Sequence, residues 1–122
     1  MRDGGMREAR RQRYLSGLSA ERTAAALLML KGYRILGMRV RTAAGEIDLI
    51  ALRGNRLAFV EVKRRASRLE AEASVSLNQR RRIRSAAQLW LARNPQMSDC
   101  ELHFDLFFLV RRRFPRHLAD AL

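Results

Sequence analysis

The stretch Gly45–Lys63, GEIDLIALRGNRLAFVEVK, decides the fold. Two apolar runs flank Arg53-Gly54-Asn55-Arg56, and Gly-Asn between such runs signals a β-hairpin, since glycine takes the positive φ of a type II′ turn without steric cost. Whether the connection is the two residues Gly54-Asn55 or the four residues 53–56, Leu52 pairs with Leu57. Asp48 then stands opposite Glu61, and Glu46 opposite Lys63.

Directly opposed residues of an antiparallel pair have Cβ atoms about 4.5–5.5 Å apart, and like charges there destabilise the sheet. Two such carboxylates need a cation between them or a raised pKa on one. Asp48 and Glu61 are hard oxygen donors suited to Mg²⁺ or Mn²⁺, ions that accept one or two carboxylates plus water and phosphate oxygens. Strand alternation turns Val60 and Val62 toward the core and places Glu61 and Lys63 together on the other face, beside the same site. A compact ammonium at Lys63 can orient an attacking water or offset charge developing on a phosphate. The plainer reading is a set of solvated charges, with Lys63 pairing Glu46 or Glu61. In this register Glu46 is an ion-pair partner rather than a ligand.

The rest of the composition favours the chemical reading. Of 25 basic residues only Lys31 and Lys63 are lysine, so a lysine beside the two carboxylates is informative. The net charge of +13 draws polyanions, and nucleic acid leads among them, although arginine-rich coding is a simpler source of such a charge. The 122 residues fit a single domain spanning 1–122, with 1–13 as a basic N-terminal arm and 111–122 as a basic C-terminal tail; 48% apolar residues suffice for a core. A lone Cys100 with no Cys/His cluster near it gives neither a zinc site nor an internal disulfide, and suits a reducing cytoplasm. The longest apolar run, Ala24–Leu30, falls short of the roughly 20 residues that span a bilayer, and the N-terminus lacks the apolar segment of a signal peptide, so no membrane association is expected.

Around the hairpin, residues Leu18–Leu30 have helical periodicity ended by Gly32. Glu21 lies in the first turn, where a carboxylate either complements the helix dipole or serves a site. Tyr33–Val40 reads as a strand, Arg41–Gly45 as a turn, and strands follow near Glu46–Leu52 and Leu57–Arg64. Ala66–Ala73 is charged and aperiodic, hence a loop. A second helix starts near Leu77, capped by Ser76 or Asn78, and stops at Asn94-Pro95. Its apolar stripe is Ile83, Ala86, Ala87, Trp90 and Leu91, with Trp90 as core. Arg80, Arg81, Arg82 and Arg84 crowd its first half and, with Arg64 and Arg65, form a candidate phosphate track; a solvated basic face is the alternative. Leu102–Val110 is apolar on both faces, as a central strand should be. Helix, three strands, helix, strand is an α/β order, an antiparallel hairpin joined to a sheet that a helical crossover extends.

GEIDLIA followed by FVEVKRR resembles the signature of the PD-(D/E)XK nuclease superfamily, and within it the YraN-type family, itself similar to archaeal Holliday-junction resolvases. Gly17 and Glu21 before an Ala-rich helix, KGYRIL, RRIRSAAQLWLA and HFDLFFL extend the likeness along nearly the whole chain. The resemblance implies a restriction-endonuclease-like core, a mixed β-sheet with a central antiparallel hairpin flanked by helices. It also implies a metal held by Asp48, Glu61 and the Val62 carbonyl, with Lys63 as the catalytic lysine and Glu21 as the helix glutamate of the site. The implied chemistry is metal-assisted hydrolysis of phosphodiester bonds in branched or structured DNA, DNA being favoured over RNA. His103 and Gln79 depart from the Arg and Lys usual at those positions. Resolvase-like action would need two active centres and hence a homodimer, although no isologous apolar patch is legible. The alternatives are a nucleic-acid-binding module that keeps the fold without cutting, and a partner-associated basic protein whose hairpin charges are incidental.

Overall fold

Arg53 pairs with Arg56 around Gly54-Asn55, and of the two turn residues only Gly54 takes a positive φ, 58°, as a type II′ turn requires. From that two-residue turn the hairpin strands β2 (Gly45–Arg53) and β3 (Arg56–Arg65) run antiparallel in the expected register, from Leu52↔Leu57 to Leu49↔Val60. The computed structural model describes residues 20–110 and 112–122. The expected N-terminal arm, 1–13, and the expected helix start at Leu18 lie outside the described residues.

Helix α1 covers residues 20–30 and β1 spans Arg34–Thr42, antiparallel to β2. After β3 come α2 (Arg68–Ala73), α3 (Leu77–Arg93), a 3₁₀ turn at Pro95–Met97, β4 (Glu101–Val110) and β5 (Arg116–Leu118). The strands form one mixed sheet in the order β1-β2-β3-β4-β5, and only β3 and β4 are parallel. That parallel step needs the helical crossover, which α2 and α3 supply.

The sheet buries both faces. Ala24, Ala25 and Leu28 of α1 pack on Leu49, Ala51, Ala58, Val60 and Phe107. On the other side Ile83, Ala86, Ala87 and Trp90 of α3 pack on Ile50, Leu57, Phe59 and Phe104. Trp90 meets Phe59 edge to face, as a core residue. Glu61 and Lys63 therefore share the face of Leu57 and Phe59, which α3 covers. No helix among the described residues is long and apolar enough to cross a membrane.

Two segments differ from their sequence reading. The expected loop Ala66–Ala73 contains α2, started by Ser67, whose Oγ accepts the Glu70 N–H at 3.1 Å. The expected tail beyond residue 111 contains β5, and Leu122 at its far end is buried in the α3-side core. A buried carboxylate holds this end. Asp105 is fully buried and accepts a bidentate pair from Arg56 (2.7 and 2.8 Å), a bond from His117 Nε2 (2.7 Å) and the Asp120 N–H (2.8 Å). Lys31 Nζ lies 3.0 Å from His117 Nδ1. An ammonium can only donate, so Nδ1 is the acceptor and Nε2 carries the proton given to Asp105.

Candidate active site

The β2–β3 ladder stops at Leu49↔Val60, one pair short of Asp48 and Glu61. Beyond it the Asp48 side chain takes the place of backbone, its Oδ2 accepting the Val62 N–H at 2.8 Å. The β1–β2 ladder is disturbed at the same level: its register shifts between Ile35 and Gly37, and it passes over Arg39 and Asp48. Arg39 has φ 50°, a left-handed conformation rare for a side-chain-bearing residue. Ile47 and Ile50 consequently lie in one core cluster, which strict alternation would forbid.

Where the strands part, a cleft of about 440 Å³ opens, lined by Glu21 of α1, by Arg39, Glu46 and Asp48, and by β3 from Glu61 to Arg65. A second opening of about 250 Å³ shares Glu46, Asp48 and Glu61 and adds Gln79 and Arg82 of α3. Glu21, Glu46 and Asp48 each place one carboxylate oxygen within 4.8 Å of the others. Glu61 is turned toward Lys63, with Oε1 3.3 Å from Nζ. The N–H and C=O of a strand residue face the same neighbour, so the Val62 carbonyl also looks toward β2.

This register corrects the role expected for Glu46. Lys63 pairs with Glu61, whereas Glu46 pairs with Arg39 (3.5 Å) and Arg41 (3.7 Å) and joins the carboxylate cluster. Arg39 and the clustering of Glu46 escaped the sequence reading. The signal for Glu46 was its i, i+2 spacing from Asp48; Arg39 had none, because its position follows from a backbone distortion. Gln79 is a further addition. Turned so that its amide nitrogen donates to the Ser74 carbonyl (2.8 Å), it offers its oxygen to Lys63 Nζ at 3.1 Å. An ammonium can only donate, so the amide oxygen faces Lys63, and this orientation gives up only a 3.4 Å contact from the Ser76 N–H.

Lys63 is buried, and so is Glu21. Burial pushes the Asp48 carboxyl up to about 7, Glu61 adds to the rise, the Val62 N–H opposes it, and Glu21 and Glu46 add smaller amounts. Glu21 is also raised, by burial above all, with Arg39 countering and Glu46 and Glu61 reinforcing. Its buried Oε2 has no hydrogen-bond partner among the described residues; the Arg39 Nε is 3.9 Å away, an ion pair without a hydrogen bond. An orphaned carboxylate oxygen beside an Asp that resists ionisation is a donor set that fits a divalent cation.

Of the six arginines expected to bind phosphate, Arg64 and Arg65 line the larger cleft and Arg82 the smaller. Arg80 and Arg81 are exposed on α3. Arg84 is committed to structure: its guanidinium lies over the Phe104 ring, and it donates to the Leu122 carbonyl at 2.8 Å.

A five-stranded mixed sheet flanked by helices, with carboxylates and a lysine where two strands part, is compatible with a restriction-endonuclease-like fold. The chain belongs to the uncharacterised protein family UPF0102, whose model matches residues 20–109 and so spans every residue of the cleft from Glu21 to Arg82. A UPF0102 protein of Bradyrhizobium diazoefficiens is 51% identical over 108 residues, 88% of this chain and 81% of its own length. One from Nitrobacter winogradskyi is 52% identical over 106 residues, covering 87% and 90%. One from Methylorubrum extorquens is 48% identical over 112 residues, covering 92% and 88%.

Proposed function

We propose that the protein is a metal-dependent phosphodiesterase, an endonuclease acting on branched or otherwise structured DNA. The observation that carries this reading is the pair Glu21 and Asp48, one carboxyl buried and one half-buried, both with raised pKa values and set beside a buried lysine in a basic protein. Asp48, Glu61 and the Val62 carbonyl would hold Mg²⁺ or Mn²⁺, with Glu21 and Glu46 completing the acidic wall. When bound, such an ion supplies Lewis acidity and lowers the pKa of a coordinated water. Glu61 and Gln79 hold the Lys63 ammonium in place, so that its charge meets a phosphate oxygen in a preorganised position. Arg64, Arg65 and Arg82 border the cleft and position the phosphate backbone.

The test is cleavage of fork, junction, single-stranded and duplex DNA, and of RNA counterparts, with Mg²⁺ or Mn²⁺. Wild-type activity is expected to fall by at least about 10²-fold in Asp48→Ala, Glu61→Ala and Lys63→Ala. Cleavage that persists in both carboxylate variants would sink the assignment. One observation favours a second reading, a binding module that does not cut: Arg39 already places a cation against Glu21 and Glu46. That reading expects oligonucleotide binding with no calorimetric signal for Mn²⁺.

A further inference from the structure

We propose that the cleft on the far side of Arg64 and Arg65 is a second phosphate-binding site, which carries the nucleic-acid backbone away from the carboxylate centre. The cleft measures about 520 Å³ and is lined by Arg64, Arg65, Arg112 and Arg113, with apolar walls from Leu109, Val110 and Pro115. Among the described residues no acidic one lines it. Arg64 and Arg65 border this cleft and the carboxylate cleft alike, so the two adjoin at these arginines. Its place follows from topology. The parallel strands β3 and β4 end side by side at Arg65↔Val110, and ligands of such sheets collect beyond the carboxyl ends of the strands.

Arg112 and Arg113 are exposed and make no ion pair among the described residues. Arg112 holds φ 62°, a backbone conformation more comfortable for glycine. Four guanidinium groups around one concavity repel one another unless an anion draws them together, and the planar fork of arginine matches phosphate oxygens. Neither arginine stood out in the sequence, where both fell within the basic tail. The inference rests on the reading of the carboxylate centre as a phosphodiester site and states on which side of it the backbone lies.

The test is fluorescence anisotropy with a labelled oligonucleotide, single-stranded and duplex, in chelator so that binding is separated from cleavage. The salt dependence is measured for wild type, Arg112→Ala/Arg113→Ala, Arg112→Lys/Arg113→Lys, and a control of equal charge loss, Arg34→Ala/Arg93→Ala, with folding checked by thermal melting. If two phosphates are released, the slope of log affinity against log salt falls by about 1.8 on duplex DNA, at ~0.9 per contact. The lysine pair restores most of it, and the control changes it little. Equal losses in the groove and control variants would overturn the site while leaving the nucleic-acid reading intact. If wild type binds neither oligonucleotide, both readings fall.

Discussion

Asp48 occupies a position where its own charge works against the fold. Its carboxyl is raised from 3.8 to about 7, so the native state prefers the neutral acid. The stability it contributes is full below its ordinary pKa near 4 and is lost as the pH rises through about 7. Asp48→Asn keeps an acceptor for the Val62 N–H and removes that slope. In chelator the variant is expected to melt higher than wild type at pH 8 and equally at pH 4. Added Mn²⁺ should reverse the order at pH 8 by stabilising wild type alone, since a ligand stabilises only the state that binds it. A thermal melt that ranks wild type above Asp48→Asn in chelator at pH 8 would refute this. The hairpin register from Arg53↔Arg56 to Leu49↔Val60 was legible because turn length and alternation are local and one even loop fixes it. Glu46's true partners were not, because the ladder on both sides of Asp48 is broken by a distortion that begins in another strand.

That distortion is a property of β1. Its register shifts between Ile35 and Gly37, and a Cβ at Gly37 would sit 2.6 Å from Val40 Cγ2, a stiff β-branched side chain with little room to give. Gly37→Ala should cost about 1–3 kcal/mol by urea denaturation, as other overpacking changes do. At the start of α3, Ser76 Oγ accepts the Gln79 N–H at 3.1 Å, which settles the choice between Ser76 and Asn78 as the cap. Ser76→Ala should cost about 1 kcal/mol and also loosen Gln79 from Lys63. Long elements with a clear period, the hairpin, α3 and β4, could be read directly from the sequence. Helix α2 was missed although Ser67-x-x-Glu70 is a capping signature, because six residues, three of them charged, are too few to show an apolar period. Strand β5 is three residues with no strand pattern of its own; it exists because β4 offers it an edge.

Across the whole molecule, the β4–β5 side of the sheet is fastened by Asp105. Burial alone would raise its carboxyl, but hydrogen bonds from His117, Arg56 and the Asp120 N–H outweigh it and hold the group well below the usual carboxylate range. A depressed value contributes stability that is present above pH about 4 and is lost as the pH falls through the native value. Urea midpoints should therefore drop in acid, and Asp105→Asn should flatten that drop. Arg56→Met should cost roughly 3–5 kcal/mol, because it strands a buried charge. With Asp48 losing its contribution as the pH rises from about 4 to about 7 and Asp105 failing the fold in acid, the chelated protein should be most stable near pH 4. HFDLFFL announced a central strand, but nothing local announced that Asp105 would meet Arg56, His117 and Asp120, which come from three other segments.

Among the described residues the sheet has two open margins, and β5, at three residues, is too short to recruit another chain. The margin formed by β1 is nine residues long and carries the partly exposed Met38, which would make it a template for stacking one molecule on the next. The shifted register at Ile35–Gly37 and the left-handed Arg39 interrupt that margin at its centre. The irregularity that opens the acidic cleft on the inner side of β1 thus also guards its outer side against edge-to-edge aggregation.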